Sequence, residues 1–164
     1  WHTFCDNYLE IIKDRLYNAD KRGKEARLSA QYGICHALLS IIKLMAPIMP
    51  FITEELYHLY FKKHEKTKSI HLTKWPEIAM IDEHAEHVGD FVIKVVEFVR
   101  RQKTSKQLSL KTQIKKLTIK SKIEEIDFDE VEADIKAATN SELIIFEPTR
   151  GKKTEKELEI QVEF

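Results

Sequence analysis

Cysteine is scarce in this sequence. Only Cys5 and Cys35 occur, thirty residues apart, with no Cys-x-x-Cys pair. That excludes a disulfide framework, and both fall on apolar helical positions, so two reduced core thiols of a cytoplasmic protein are expected. A Cys5–Cys35 bridge is the alternative. A phosphate-cradling glycine loop is missing too: Gly151-Lys152-Lys153-Thr154 ends like one, but its upstream glycine position holds Phe146. No apolar run approaches the ~20 residues of a membrane span, and no signal-peptide pattern opens the chain. Internal repeats and low-complexity tracts are absent. Seven histidines are present, yet only His84 and His87 share a helix face, at i, i+3, without a third ligand nearby. No metal site is expected. No cysteine or serine stands with a base in a recognisable arrangement, so no catalytic residue is expected in this chain.

What is present is a patterned, charged, globular sequence. Charged residues make up 33% of it and hydrophobic ones 43%, with 27 Lys+Arg balancing 27 Asp+Glu. The length suits one domain or two small ones. The chain starts on Trp1, already inside an amphipathic pattern, and so reads as a piece of a longer protein. The stretch Leu44–Tyr60 organises the rest. Two prolines, Pro47 and Pro50, sit between apolar segments. A residue before proline is pushed out of the α region, so a helix should end near Met45. A new one should start with Pro50 at its first position or Thr53 as its cap. Glu54 and Glu55 are then expected in the first turn, and Ile52, Leu56, Leu59 and Tyr60 on the buried face.

Before that corner, residues 1–17 read as a helix with Trp1, Cys5, Tyr8, Leu9, Ile12 and Leu16 inward. A polar connection, Asn18 to Gly23, leads to a second helix from about Lys24 to Met45. Its stripe of Leu28, Tyr32, Cys35, Leu39 and Ile42, widened by neighbours, predicts the most buried helix. Lys62–Ile81 reads as a connector, basic at first and extended around Ser69–Trp75, with Trp75-Pro76 anchoring it. A fourth helix, about Asp82 to Lys103, shows Val88, Phe91, Val92, Val95 and Val99 at helical period. Beyond it the texture changes. Lys116–Lys120 and Leu143–Phe146 read as strands, with a helix between them capped by Asp127 or Asp129 and stopped at Asn140. Pro148 to Gly151 makes a turn, and Leu158, Ile160 and Val162 alternate as a third strand. The expected class is α+β: mainly a four-helix bundle over residues 1–103, then a small β-α-β-β domain over 104–164. Its three-stranded sheet should be parallel across the helix and antiparallel across the turn.

The sequence also carries a resemblance. Ala46-Pro47-Ile48-Met49-Pro50-Phe51-Ile52-Thr53-Glu54-Glu55-Leu56-Tyr57 resembles the corner in the anticodon-binding domain of class I aminoacyl-tRNA synthetases for valine, isoleucine and leucine. Three more segments agree in order. Trp1-His2-Thr3-Phe4-Cys5-Asp6, continuing to Tyr17, is similar to that domain's first helix in valyl enzymes. Ser69 to Glu77 resembles its closing segment. Val99-Arg100-Arg101 with Ser105 to Leu110 resembles the C-terminal extension of archaeal-type valyl enzymes. Ile11-Ile12-Lys13-Asp14-Arg15 also looks isoleucyl-like, so isoleucyl enzymes are the runner-up. Asn7 and Tyr57 depart from the valyl pattern, where tryptophan is often found. Lys103-Thr104-Ser105-Lys106-Gln107 resembles the ATP-closing KMSKS loop, but it lies downstream of the bundle rather than upstream, and no HIGH motif accompanies it.

The resemblance implies a non-catalytic region that holds the anticodon end of tRNA for a catalytic domain in the same polypeptide. The parent enzyme would use ATP and Mg2+, and this region would need no cofactor of its own. A monomer without membrane contact is implied, and a helical protein-interaction module that binds no RNA is the reading from another class. Charge points the same way as the resemblance. Residues 91–120 carry nine Lys+Arg against Glu97 alone, a local net of +8, while residues 121–164 carry 6 against 13. Beyond Phe91 and Phe98 in its helical part, the basic block has no aromatic residue for base stacking, so phosphate contact is the expected mode. Arg100, Arg101, Lys103 and Lys106 are the expected tRNA contacts, with Lys13 and Arg15 on a second face.

Overall fold

A computed structural model describes residues 2–77, 81–121, 127–148 and 158–164, the side chains of Glu130 and Pro148 excepted. Among them are seven α-helices and a three-stranded mixed sheet, an α+β chain. Two units share it: Trp1–Arg22 with Asp82–Phe164, and Gly23–Ile81. The expected boundary after residue 103 falls inside a continuous helix, α6, Glu83–Ser105.

The first unit is discontinuous in sequence. Thr3–Tyr8 forms π-type turns that run into α1 (Leu9–Tyr17), and α2 (Ala19–Arg22) occupies the expected polar connection. Asp82 caps α6 by accepting from Ala85 N at 2.9 Å. Along α6, Phe91, Val92, Val95, Val96 and Val99 are buried, and this burial outweighs the modest helix preference of valine. Strand β1 (Ile114–Ser121) lies in the middle of the sheet, with β2 (Ser141–Pro148) parallel on one side and β3 (Leu158–Glu163) antiparallel on the other. The parallel pair spans the helix, as expected. The third strand, however, does not pair with β2 across the turn: it lies on the far edge of β1. The turn itself, from residue 149 on, is outside the described residues. Helix α7 (Phe128–Thr139) joins β1 to β2. Asp127 caps it, and Asn140 stops it in the left-handed region at φ 55°. The core packs α6 and α7 against Leu117, Ile119 and Ile144, with Ile160 and Val162 beside them.

The second unit begins at Gly23, whose φ of 87° breaks the chain direction between α2 and α3 (Lys24–Met45). Helix α3 ends at Met45 as expected, although Ala46, before Pro47, stays in the α region at φ -54° and ψ -40°. Met49 N donates to Met45 O at 2.8 Å, and α4 (Pro50–Tyr60) starts with Pro50 at its first position. Glu54 therefore lies beyond the first turn. The buried face of α4 also differs from expectation. Thr53, Tyr57 and then Phe61 face inward, and Ile52, Leu59 and Tyr60 are exposed. Periodicity misses this face because two of its members carry hydroxyls. Both are satisfied: Thr53 Oγ1 donates to Met49 O at 2.8 Å and Tyr57 OH to Thr67 O at 3.1 Å. The core of this unit is Ile42, Ala46, Tyr57, Phe61 and Ile70.

Helix α3 is the largest correction. Leu28, Tyr32 and Cys35 are exposed, Tyr32 at 67%, and only Ala30 and Ile42 are buried. Cys35 is thus not a core thiol, and Cys5 is half-buried. By length and composition α3 could cross a membrane, with a mean hydropathy of 1.3 over its best window, a weak signal that core helices share. The charges at Lys24, Glu25, Arg27 and Lys43 hide the uncharged run Leu28–Ile42 between them. After α4, a short α5 (Lys62–Glu65) and a 3-10 turn, Ile70–Leu72, replace the expected extended connector.

Candidate nucleic-acid interface

The cations of the basic block do not share one environment. Lys103 is the clearest case: it is 1% exposed, and its Nζ donates to Leu110 O at 2.9 Å and Thr139 O at 2.8 Å. It ties the end of α6 to the loop before β1 and to the end of α7. Burial, and then the nearby Arg100 charge, pull its pKa below the ordinary lysine value. Lys103 is therefore removed from the set of phosphate contacts. Its place near the end of a helix suggested solvent, but the loop before β1 and the end of α7 close over it.

Arg15 is corrected for a similar reason. Its Nε donates to both carboxylate oxygens of Asp134 at 3.0 Å, and its Nη2 adds a further bond. Arg22 donates to the other side of the same carboxylate and lies 3.6 Å from Asp14. Asp134, nearly buried on α7, thus joins α7 to both α1 and α2. The bond to Asp134 raises the Arg15 pKa further above its ordinary value, against burial. Sequence reasoning missed this triad because Asp134 lies 119 and 112 positions from its two arginines, and the sole signal was one carboxylate near the buried face of α7.

Arg100 is half-committed. Its guanidinium donates to Asp6 O and, at 3.4 Å, to Asn7 Oδ1. Buried Asn7 in turn donates to Glu97 at 2.9 Å, so the one acid of the basic block is engaged from below. Arg101 is the freest cation of the four: its side chain is 81% exposed and touches Glu97 only loosely, at 3.5 Å. Lys106 is exposed, with Nζ 4.3 Å from the Phe164 ring centroid. Lys13 is exposed and paired with Glu10 on its own helix.

The lysines of β1 add less positive field than their number suggests. Lys116 and Lys120 alternate on the sheet face away from the core, opposite Glu163 and Glu159 of β3, and Lys120 lies 3.5 Å from Glu147 of β2. The acidic C-terminal third thus neutralises part of the block in space. Among the described residues no group of three His, Cys, Asp or Glu side chains comes together as a metal site.

In the second unit, Glu54 organises the 3-10 turn. It accepts from Ser69 Oγ at 2.9 Å and Ile70 N at 3.0 Å, and His58 lies 2.9 Å away. Partial burial pushes its pKa up, but the bonds from Ser69, Ile70 and His58 outweigh that and leave it below the usual carboxylate value. The chain then passes Thr73 and Lys74 to Trp75, which is 60% exposed and does not anchor the connector as expected.

A helical chain with a proline corner, a basic helix end and a small appended sheet defines a class, and sequence comparison assigns it. The chain belongs to the family described as the anticodon-binding domain of tRNA ligase, whose profile matches residues 1–119. Similar full-length proteins are valine–tRNA ligases. That of Pyrococcus furiosus is 36% identical over 98% of this chain and 18% of its own length. Those of Thermococcus kodakarensis and Archaeoglobus fulgidus are 35% and 37% identical over 100% and 96% of the chain. The chain spans less than a fifth of the length of these relatives.

Proposed function

We propose that the chain is the tRNA-holding C-terminal region of a valine–tRNA ligase. It positions the anticodon end of tRNA while a catalytic domain in the same polypeptide, using ATP and Mg2+, charges the acceptor end in the cytoplasm of the cell. The observation that carries this is the family match across residues 1–119, joined by the valine–tRNA ligase relatives. A four-helix bundle over residues 1–103 and a monomeric parent belong to the same proposal. Phosphate contact falls to Arg101 and Lys106, supported by Lys13 and by the part of Arg100 not engaged at Asp6. Each contact releases condensed counterions, so affinity should fall steeply with salt.

Filter binding of tRNA at several salt concentrations tests this. The chain should retain tRNA at low salt and lose it progressively as salt rises. Arg101→Gln should flatten the slope of log affinity against log salt by up to about one unit, with an unchanged melting temperature. Failure to retain tRNA at low salt refutes the proposal and favours a protein-interaction module.

A further inference from the structure

A small cleft lies in the second unit, where the end of α3 meets the segment after the 3-10 turn. Buried Ala46 and Ile70 line it, together with exposed Pro47, His71, Lys74 and Trp75. Its volume is about 110 Å³. That is room for several waters, since one needs only ~10–15 Å³, but far below the ~300–1,000 Å³ of a site for a free drug-sized ligand. A cleft of this size takes one flat ring presented by a larger molecule. Its buried lining, Ala46 and Ile70, is apolar, and Trp75, 60% exposed, lines it as well.

The charges choose between possible rings. No carboxylate lines the cleft. Lys43, at its edge, is engaged by Glu65 at 3.1 Å, and His71 lies 4.0 Å from Glu54. Lys74 is exposed and makes no ion pair among the described residues. An apolar slot with an open aromatic face and a free cation at its lip matches a nucleobase with its adjoining phosphate. In the basic block of the first unit Phe91 is buried and Phe98 half-buried on α6, whereas Trp75 in the second unit is exposed.

We propose that this cleft receives one unstacked base of the bound RNA, stacked on Trp75, with the flanking phosphate on Lys74. The proposal rests on the tRNA-binding reading above and adds a base-contact site to it. Stacking sets no strong preference among bases, because each presents a π-face.

Trp1 and Trp75 are the chain's two tryptophans, so a Trp1→Phe background isolates the relevant indole. In that background tRNA should quench the fluorescence with the same midpoint that filter binding gives. Trp75→Ala should weaken binding by about 5- to 150-fold, the range of one base–aromatic stack, and Trp75→Phe should restore most of it. Full retention of tRNA without quenching, together with unchanged affinity in Trp75→Ala, overturns the cleft assignment and leaves the tRNA-binding reading intact. An aromatic side chain of a protein partner would give that same pattern. If the unsubstituted chain retains no tRNA, the underlying reading fails and the cleft assignment falls with it. The quenching measurement needs no change at Trp75, so a folding defect in Trp75→Ala cannot mask the outcome.

Discussion

Removing Asp134 should be the most damaging single carboxylate change in the first unit. Its side chain is 5% exposed, with Arg22 at 14% and Arg15 at 29%, so the three charges sit largely out of water. A hydrogen bond to a charged group contributes about 1.5–3 kcal/mol. Removing one partner of a buried pair costs about 3–5 kcal/mol, because the remaining charge stays desolvated. Asp134→Ala leaves two guanidiniums in that position, although Arg15 can turn partly to solvent, so the loss should be about 3–5 kcal/mol and not a sum over all bonds. For a chain of this size that lowers the melting temperature by roughly 6–20 °C. Urea denaturation followed by circular dichroism measures it, with exposed Lys136→Ala on the same helix as a control expected within about 0.5 kcal/mol. Arg15→Ala and Arg22→Ala combined with Asp134→Ala should be far from additive, since all three share one contact network. A loss below about 1 kcal/mol for Asp134→Ala, or simple additivity, would refute the account.

Three further outcomes are expected. Lys103→Met should destabilise the fold by about 1–3 kcal/mol, through two carbonyls left without their donor, yet leave the salt slope of tRNA binding unchanged. Its lowered pKa means that the unfolded chain binds the extra proton between the folded value and about 10.4, so Lys103 makes stability rise with pH across that window, and Lys103→Met should remove the rise from an alkaline unfolding series. Glu54, whose pKa is lowered, contributes stability above about pH 4.3 that is lost as pH falls through its folded value, so Glu54→Gln should flatten the acid limb of unfolding. Tyr57→Phe should cost about 0.5–1.5 kcal/mol and exposed Leu59→Ala less than about 0.5, a contrast that equilibrium denaturation reads directly and that reversed values would overturn.

Local signals in the sequence carried over into the structure wherever neighbours in the chain decide conformation. Pro50 opens α4 through its fixed φ, while Asp82 and Asp127 cap α6 and α7 and Asn140 ends α7 in the left-handed region, these three by bonds within a few residues. The α6 stripe from Phe91 to Val99 was equally legible, because its apolar period is unbroken. What failed were inferences that needed a distant partner. Lys103 looked like a solvated helix end until Thr139 and Leu110 closed over it. The face of α4 was misread because Thr53 and Tyr57 count as polar by type but are satisfied by backbone carbonyls. The position of β3 depends on which edge of β1 is free, which alternation alone does not encode.

The split of the first unit into Trp1–Arg22 and Asp82–Phe164 has a consequence for biosynthesis. Helix α1 leaves the ribosome ahead of its partner carboxylate on α7, which follows 119 residues later. At about 5–20 residues per second that is a wait of roughly 6–24 s. During it the Gly23–Ile81 unit, whose contacts are local, can form on its own, whereas α1 and α2 keep Arg15 and Arg22 without their destination. Synthesis therefore passes through an interval in which α1 waits for the rest of its unit, and chaperone capture in that interval would fall on α1.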